Sequence, residues 1–219
     1  MSDAVFRLRL NFQKLGRLRY LSHLEVTRAL ERTVRRAQLP YAISQGFNAH
    51  MRFAPGPALP VGSEGLDEYF DVMLAEYVRP DDALARLRAA SARDLPVRAV
   101  FYVDPREKGL QATHIHEEYR IVLASSDLAA GDILSRLRKF IEGKELTVSR
   151  KGAAKVYDLS QAVEGFTVEG LEERGHCAVS LRLKATEQGS IRPEILIRAA
   201  LGEGSDWEIQ RITRTRLTE

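Results

Sequence analysis

The sequence predicts an α+β protein built from two tandem ferredoxin-like (βαββαβ) units. Two observations predict it. Period-2 and period-3.6 stretches follow one another in the order β-α-β-β-α-β, and that order occurs twice along 219 residues. A polar connector, DPREKGLQAT at 104–113, separates the two runs. The expected units are 1–106 and 107–219, each large enough to hold its own core.

The first strand is VFRLRLNF, in which Phe6, Leu8, Leu10 and Phe12 alternate with Arg7, Arg9 and Asn11. Such alternation predicts one core face and one basic face. The helix that follows is the best specified element. Ser22 and Glu25 form an S-x-x-E capping box, and Leu21 and Val26 stand at staple spacing. Val26, Leu30, Val34 and Ala37 make an apolar stripe, with Arg28, Arg32, Arg35 and Arg36 on the opposite side. Leu39-Pro40 ends it.

Next comes QGFNAHMRFAPGPALPVG at 45–62. Phe47, Ala49, Met51 and Phe53 alternate with Asn48, His50 and Arg52, so part of it reads as extended, with glycine and proline punctuation at both ends. DEYFDVMLAEY then reads as a strand, PDDALARLRAAS as a short helix and LPVRAVFYVD as a strand.

In the second run EEYRIVLASS is a strand, and Asp127 to Glu142 a helix with Leu134, Leu137 and Ile141 on one side and Gly143 at its end. Segments near 145–163 and 176–184 read as strands, IRPEILIRAALG as a helix and WEIQRITRTRL as the closing strand.

Composition narrows the function classes. No apolar run reaches the length of a membrane span, and MSDAVFRLRLNF lacks a signal core, so a soluble cytoplasmic protein without a membrane partner is expected. The single Cys177 excludes an internal disulfide and a cysteine-held zinc or iron–sulfur site. Residues 1–60 carry ten Lys/Arg against three Asp/Glu, whereas the rest of the chain is close to balanced. That concentration of positive charge suits a polyanion partner, and RNA is the one expected.

Neither G-x-G-x-x-G nor G-x-x-x-x-G-K-[ST] occurs, so no nucleotide cradle is predicted. No nucleophile elbow, H-E-x-x-H or paired-carboxylate pattern occurs either. His114 and His116 share a strand face with Glu118 nearby, a pattern that can hold a divalent ion, but a two-histidine cluster in a connector reads as surface; no metal or cofactor is predicted. His23 and His50 lie beside the basic helix start and the glycine-rich segment, where an imidazole can move protons near pH 7. They are the candidate catalytic groups. The candidate RNA contacts are Arg7, Arg9, Arg28, Arg32, Arg35, Arg36, Asn48, His50 and Arg52, with Asn48, His50 and Arg52 expected to share a cleft with His23.

The stretch RLRYLSHLEVTRALERTVRRAQLPYAISQGFNAHMRFAPGPALPVG resembles an uncharacterised bacterial family, the radical-SAM-associated or radical-SAM-linked proteins, a domain of unknown function. The likeness is carried by R-Y-L-S-H-L with a following acid, R-R-A-x-L-P, the serine-glycine-phenylalanine-asparagine-histidine stretch and L-P-V-G, all within residues 17–62. R-P-E-x-L at 192–196 adds to it. Where that family reads Pro-His-Pro-Lys after Gly46-Phe47-Asn48, this chain has Ala49, His50, Met51 and Arg52. The resemblance implies a radical-SAM partner and an RNA-processing setting, with this chain the accessory half, since it lacks C-x-x-x-C-x-x-C. It transfers no catalytic residue. Tandem ferredoxin-like units with a glycine-rich loop also resemble the CRISPR repeat-processing endoribonucleases, an analogy of fold.

Three functions follow. The first is a non-catalytic RNA-binding accessory that presents tRNA or rRNA to a radical-SAM partner. The second is a metal-independent endoribonuclease using His23 or His50. The third is a protein–protein adaptor with no nucleic-acid role.

Overall fold

The computed structural model describes residues 6–126, 129–150, 153–171, 175–202 and 207–219. The chain is a mixed α+β protein that divides into two compact units: Met1–His114 together with Glu219, and Ile115–Thr218. Residues 107–113, expected to open the second unit, belong to the first.

In the first unit the order is β1 (Phe6–Lys14), a 3-10 turn at Gly16–Tyr20, α1 (His23–Arg36), β2 (Phe53–Pro55), β3 (Glu64–Leu74), α2 (Pro80–Ala90), β4 (Val97–Val103) and a single turn α3 (Leu110–Thr113). The sheet order is β4-β1-β3-β2 with each neighbouring pair antiparallel. Leu8, Leu10, Phe70, Val72 and Met51 meet Val26, Leu30 and Val34 of α1 in one core. Each such side chain contributes about 1.5–3 kcal/mol by leaving water.

The second face of this sheet departs from expectation. Arg7 and Arg9 retain only 3% and 4% exposure, so β1 is buried on both faces. The β1–β3 register sets Arg9 opposite Asp71, which is itself 0% exposed. Arg7 Nε donates to Asp71 Oδ2 at 2.7 Å, and Arg9 Nε donates to Asp71 Oδ1 at 2.8 Å. Arg7 also donates to the carbonyls of Glu107 (2.8 Å) and Lys108 (3.3 Å). The polar connector is therefore a strap that covers the sheet, with Leu110 buried as its anchor. Alternation alone could not reveal this, because a strand buried on both faces alternates polar and apolar when the polar side is neutralised.

In the second unit the order is β5 (His116–Ser125), α4 (Ala130–Glu142), β6 (Glu145–Arg150), β7 (Ala153–Asp158), a single turn α5 (Leu159–Ala162), β8 (Val163–Gly170), β9 (His176–Lys184), α6 (Pro193–Leu201) and β10 (Trp207–Thr218). Within it the strands run β10-β5-β9-β8, neighbours antiparallel, while β6 and β7 form a separate antiparallel pair. The segment 145–163, read as one strand, is a hairpin and a helical turn, and the sheet's next strand is the unpredicted Val163–Gly170. Burial on α4 falls on Ile133 and Leu137, whereas Leu134 and Ile141 are half-buried. Asp127, the expected helix start, lies outside the described residues. Glu117 sits buried here, accepting from Tyr119 Oη (2.6 Å) and Ser190 Oγ (2.9 Å), with Arg214 Nη1 at 3.4 Å.

Candidate nucleic-acid interface

Helix α1 is held rigidly, which is what a surface site requires. Ser22 Oγ accepts from the Glu25 amide at 3.4 Å, and Glu25 Oε2 accepts from the Ser22 amide at 2.8 Å, closing the predicted capping box. Hydrogen bonds from Ser22 hold the Glu25 carboxyl below its ordinary range. With Val26, Leu30 and Val34 in the core, Arg28, Arg32, Arg35 and Arg36 are exposed. Arg36 is committed elsewhere: its Nη2 donates to the Ala90 carbonyl at 2.7 Å, at the end of α2. In return Arg86 of α2 donates to the carbonyls of Ala37 (2.8 Å) and Gln38 at the end of α1. Arginines at both helix ends thus satisfy leftover carbonyls. Arg28, Arg32 and Arg35 remain as an outward row at i, i+4 and i+7.

The row continues toward the loop. The Arg35 guanidinium lies 5.8 Å from the Tyr41 ring, a cation–π distance. Tyr41 bridges to Leu74 and Ile43 to Met51, so the chain returns along the sheet before β2. Regular strand covers only Phe53–Pro55, and Phe47 and Ala49, expected on the apolar face, are exposed. Gly56 approaches β3 so closely that a Cβ there would lie 2.8 Å from the Tyr69 carbonyl oxygen. Only glycine permits that approach.

His23 and His50 are not brought to one cleft. Met51 points into the core beside α1, so strand alternation turns Arg52 to the other side. His50 and Arg52 line a shallow hollow with Met51, Phe53 and Met73. His23 instead lines a slot under Pro55-Gly56-Pro57 with Lys14, Glu68 and Tyr69, whose interior volume is about 20 Å³, near the size of one water. Lys14 Nζ in that slot donates to the Leu21 carbonyl at 3.0 Å. Arg7 and Arg9, expected as RNA contacts, are instead enclosed and bound to Asp71 and have no surface to offer a phosphate. Burial pulls the Arg9 pKa down, but the hydrogen bond and charge of Asp71, joined by Glu107 and Glu219, raise it by more and keep that guanidinium protonated.

His114 and His116 serve different surroundings. His114 is buried, its ring 4.9 Å from Tyr69, and burial together with the charge of Arg9 pushes its pKa down. Tyr69 is pushed up to about 12, by burial first and then by Asp67. His116 opens β5 and meets Glu164 at 2.9 Å. Among the described residues no cluster of three metal-ligating side chains forms. Among the described residues no helix is long and apolar enough to cross a membrane.

Residues 7–193 match the model of a family of uncharacterized proteins conserved in bacteria, DUF2344. The chain belongs to this family. No curated protein matches it. Among solved structures, this DUF2344 protein is similar to a chain of a Cbf5–Nop10–Gar1 complex, with TM-score 0.54 and 13% identity over 96% of this chain and 48% of that one. A chain of the archaeal box H/ACA sRNP Nop10–Cbf5 complex gives TM-score 0.49 and 10% identity over 96% and 47%. The DUF2344 chain spans about half the length of both, and at 13% identity the likeness to the first is one of fold.

Proposed function

We propose that this DUF2344 protein is a cytoplasmic RNA-binding accessory that presents RNA, tRNA or rRNA, to a radical-SAM partner and is not itself catalytic. The observation that carries the reading is the outward row Arg28, Arg32 and Arg35 on a helix whose opposite face is locked in the core. Between Glu31 and Glu64 the chain has no carboxylate, so nothing in that stretch opposes the guanidinium field. The strand orders β4-β1-β3-β2 and β10-β5-β9-β8 support reading the units as ferredoxin-like. Asn48, His50 and Arg52 are exposed donors on the loop that follows the helix and offer a further contact. The radical-SAM partner rests on the sequence resemblance at 17–62.

The test is RNA binding by the full chain across a salt series. Log affinity should fall linearly with log salt, with each phosphate neutralised contributing about 0.7 to the slope for a single strand. Arg28→Glu/Arg32→Glu should weaken binding and flatten the slope by roughly 1.4, while circular dichroism stays unchanged. Equal binding by the double variant refutes the reading, and an acidic protein as the sole ligand favours the adaptor.

One observation favours the nuclease alternative. His50 Nδ1 lies 3.0 Å from the Asn48 carbonyl and 2.9 Å from Ser44 Oγ. A carbonyl only accepts, so the Asn48 contact favours the tautomer with the proton on Nδ1 and a lone pair on Nε2. Incubation with labelled RNA in EDTA separates the readings. Intact RNA is the expected result. Cleavage that drops about 10²–10⁴-fold in His50→Ala reverses it.

A further inference from the structure

The segment 43–51 forms a clamped knuckle with one aromatic ring at its apex. Ile43 bridges Met51, and the Ser44 amide donates to the His50 carbonyl at 2.8 Å. The His50 amide donates to Ser44 Oγ at 3.1 Å, which ties the neck a second time. Met51, 1% exposed, roots the knuckle in the core. Gly46, at φ +130, turns the chain just before the tip. Phe47 follows with 111% relative exposure, so its ring touches nothing in the protein.

We propose that Phe47 is a stacking platform for an unpaired nucleobase, which makes the partner of this surface single-stranded RNA rather than duplex. The inference rests on the RNA-binding reading and adds to it the strandedness of the ligand and the residue that senses it. A ring that packs on nothing adds no stability to the fold, yet the hydrogen bonds of Ser44 and His50 close the neck of the loop that presents it. Its neighbours along the loop are Gln45 and Asn48, exposed amides able to pair with a base edge, and Arg52, an exposed phosphate donor, follows the knuckle. At the knuckle's root Tyr41 touches Arg35, so the arginine row of α1 arrives at the same loop. Backbone charge on the row and a base on the ring are the two components of single-strand recognition. Duplex RNA keeps its bases stacked inside and presents no face to Phe47.

The experiment uses the full chain, fluorescence anisotropy, and a labelled 12-nucleotide single strand beside a hairpin duplex of matched charge. Phe47→Ala should weaken single-strand binding roughly 5- to 150-fold, with the salt slope and duplex binding unchanged. Phe47→Trp should restore it. Single-strand binding by Phe47→Ala equal to the parent's overturns the inference; if Arg28→Glu/Arg32→Glu still loses binding, the arginine reading stands without it. Equal losses on single strand and duplex also overturn it, as does a parent that prefers duplex. Failure of the parent to bind either RNA removes both readings. Phe47-dependent binding to anionic phosphatidylserine vesicles in place of RNA assigns the knuckle to a lipid surface and overturns it as well.

Discussion

Replacing Asp71 by Ala should be among the most damaging single substitutions in the first unit. The carboxylate is completely buried and receives Arg7 Nε at 2.7 Å, Arg9 Nε at 2.8 Å and Arg9 Nη2 at 3.1 Å. Its removal leaves two buried guanidinium ions side by side. Two unit charges about 4 Å apart at an effective dielectric of 20 interact by about 4 kcal/mol. Removing one partner of a buried ion pair costs about 3–5 kcal/mol, a similar figure reached from mutational data. Arg7 keeps its bonds to the Glu107 and Lys108 carbonyls, which holds the cost at the lower half of that range. Against a typical domain stability of about 5–15 kcal/mol, the unit becomes marginal. Urea unfolding followed by far-ultraviolet circular dichroism is the assay. With a slope near 2 kcal/mol per M, the midpoint should fall by roughly 2 M. Replacing both arginines by Met in the Asp71→Ala background should recover most of the loss, because an apolar set of similar volume removes the stranded charges. A midpoint shift under about 0.5 M refutes the argument that Asp71 is the counter-charge on which this face depends.

Two further outcomes are expected. His114 has its pKa lowered by burial first and the Arg9 charge next, so the unfolded chain binds that proton more readily than the folded one. Its contribution is therefore complete above the unfolded value of about 6.5 and declines as pH falls below it. The urea midpoint should drop between pH 7 and pH 5 in the parent and drop less in His114→Gln, and identical pH profiles count against this role. Ser22→Ala should cost about 1 kcal/mol by uncapping α1. The lowered Glu25 carboxyl adds a part that is present above its unfolded pKa and vanishes as pH falls through the folded one, so the gap between the parent and Ser22→Ala melting curves should narrow in acid to the cost of the lost Ser22 cap.

Local chemistry was legible in the sequence; partnership across the chain was not. Helix α1 could be read in full because its cap, staple and apolar stripe all lie within the seventeen residues 21–37, and its outward arginines follow from the same periodicity. The order of elements in the first unit could be read for the same reason. Periodicity does not say what covers the second face of a strand. Arg7 and Arg9 look like a solvated basic face until the β1–β3 register sets Asp71, more than sixty residues away, between them. The strap over 104–113 carries no apolar period, since it is tied down by its carbonyls and by Leu110 alone. Within 145–163 only the pairing partners distinguish a separate hairpin from a strand of the sheet. Tertiary structure also decided the candidate site. Burial of Met51 against α1 turned His50 and Arg52 away from His23, and the clamp between residues 44 and 50 put Phe47 in water, where a period-two reading had placed it with the core.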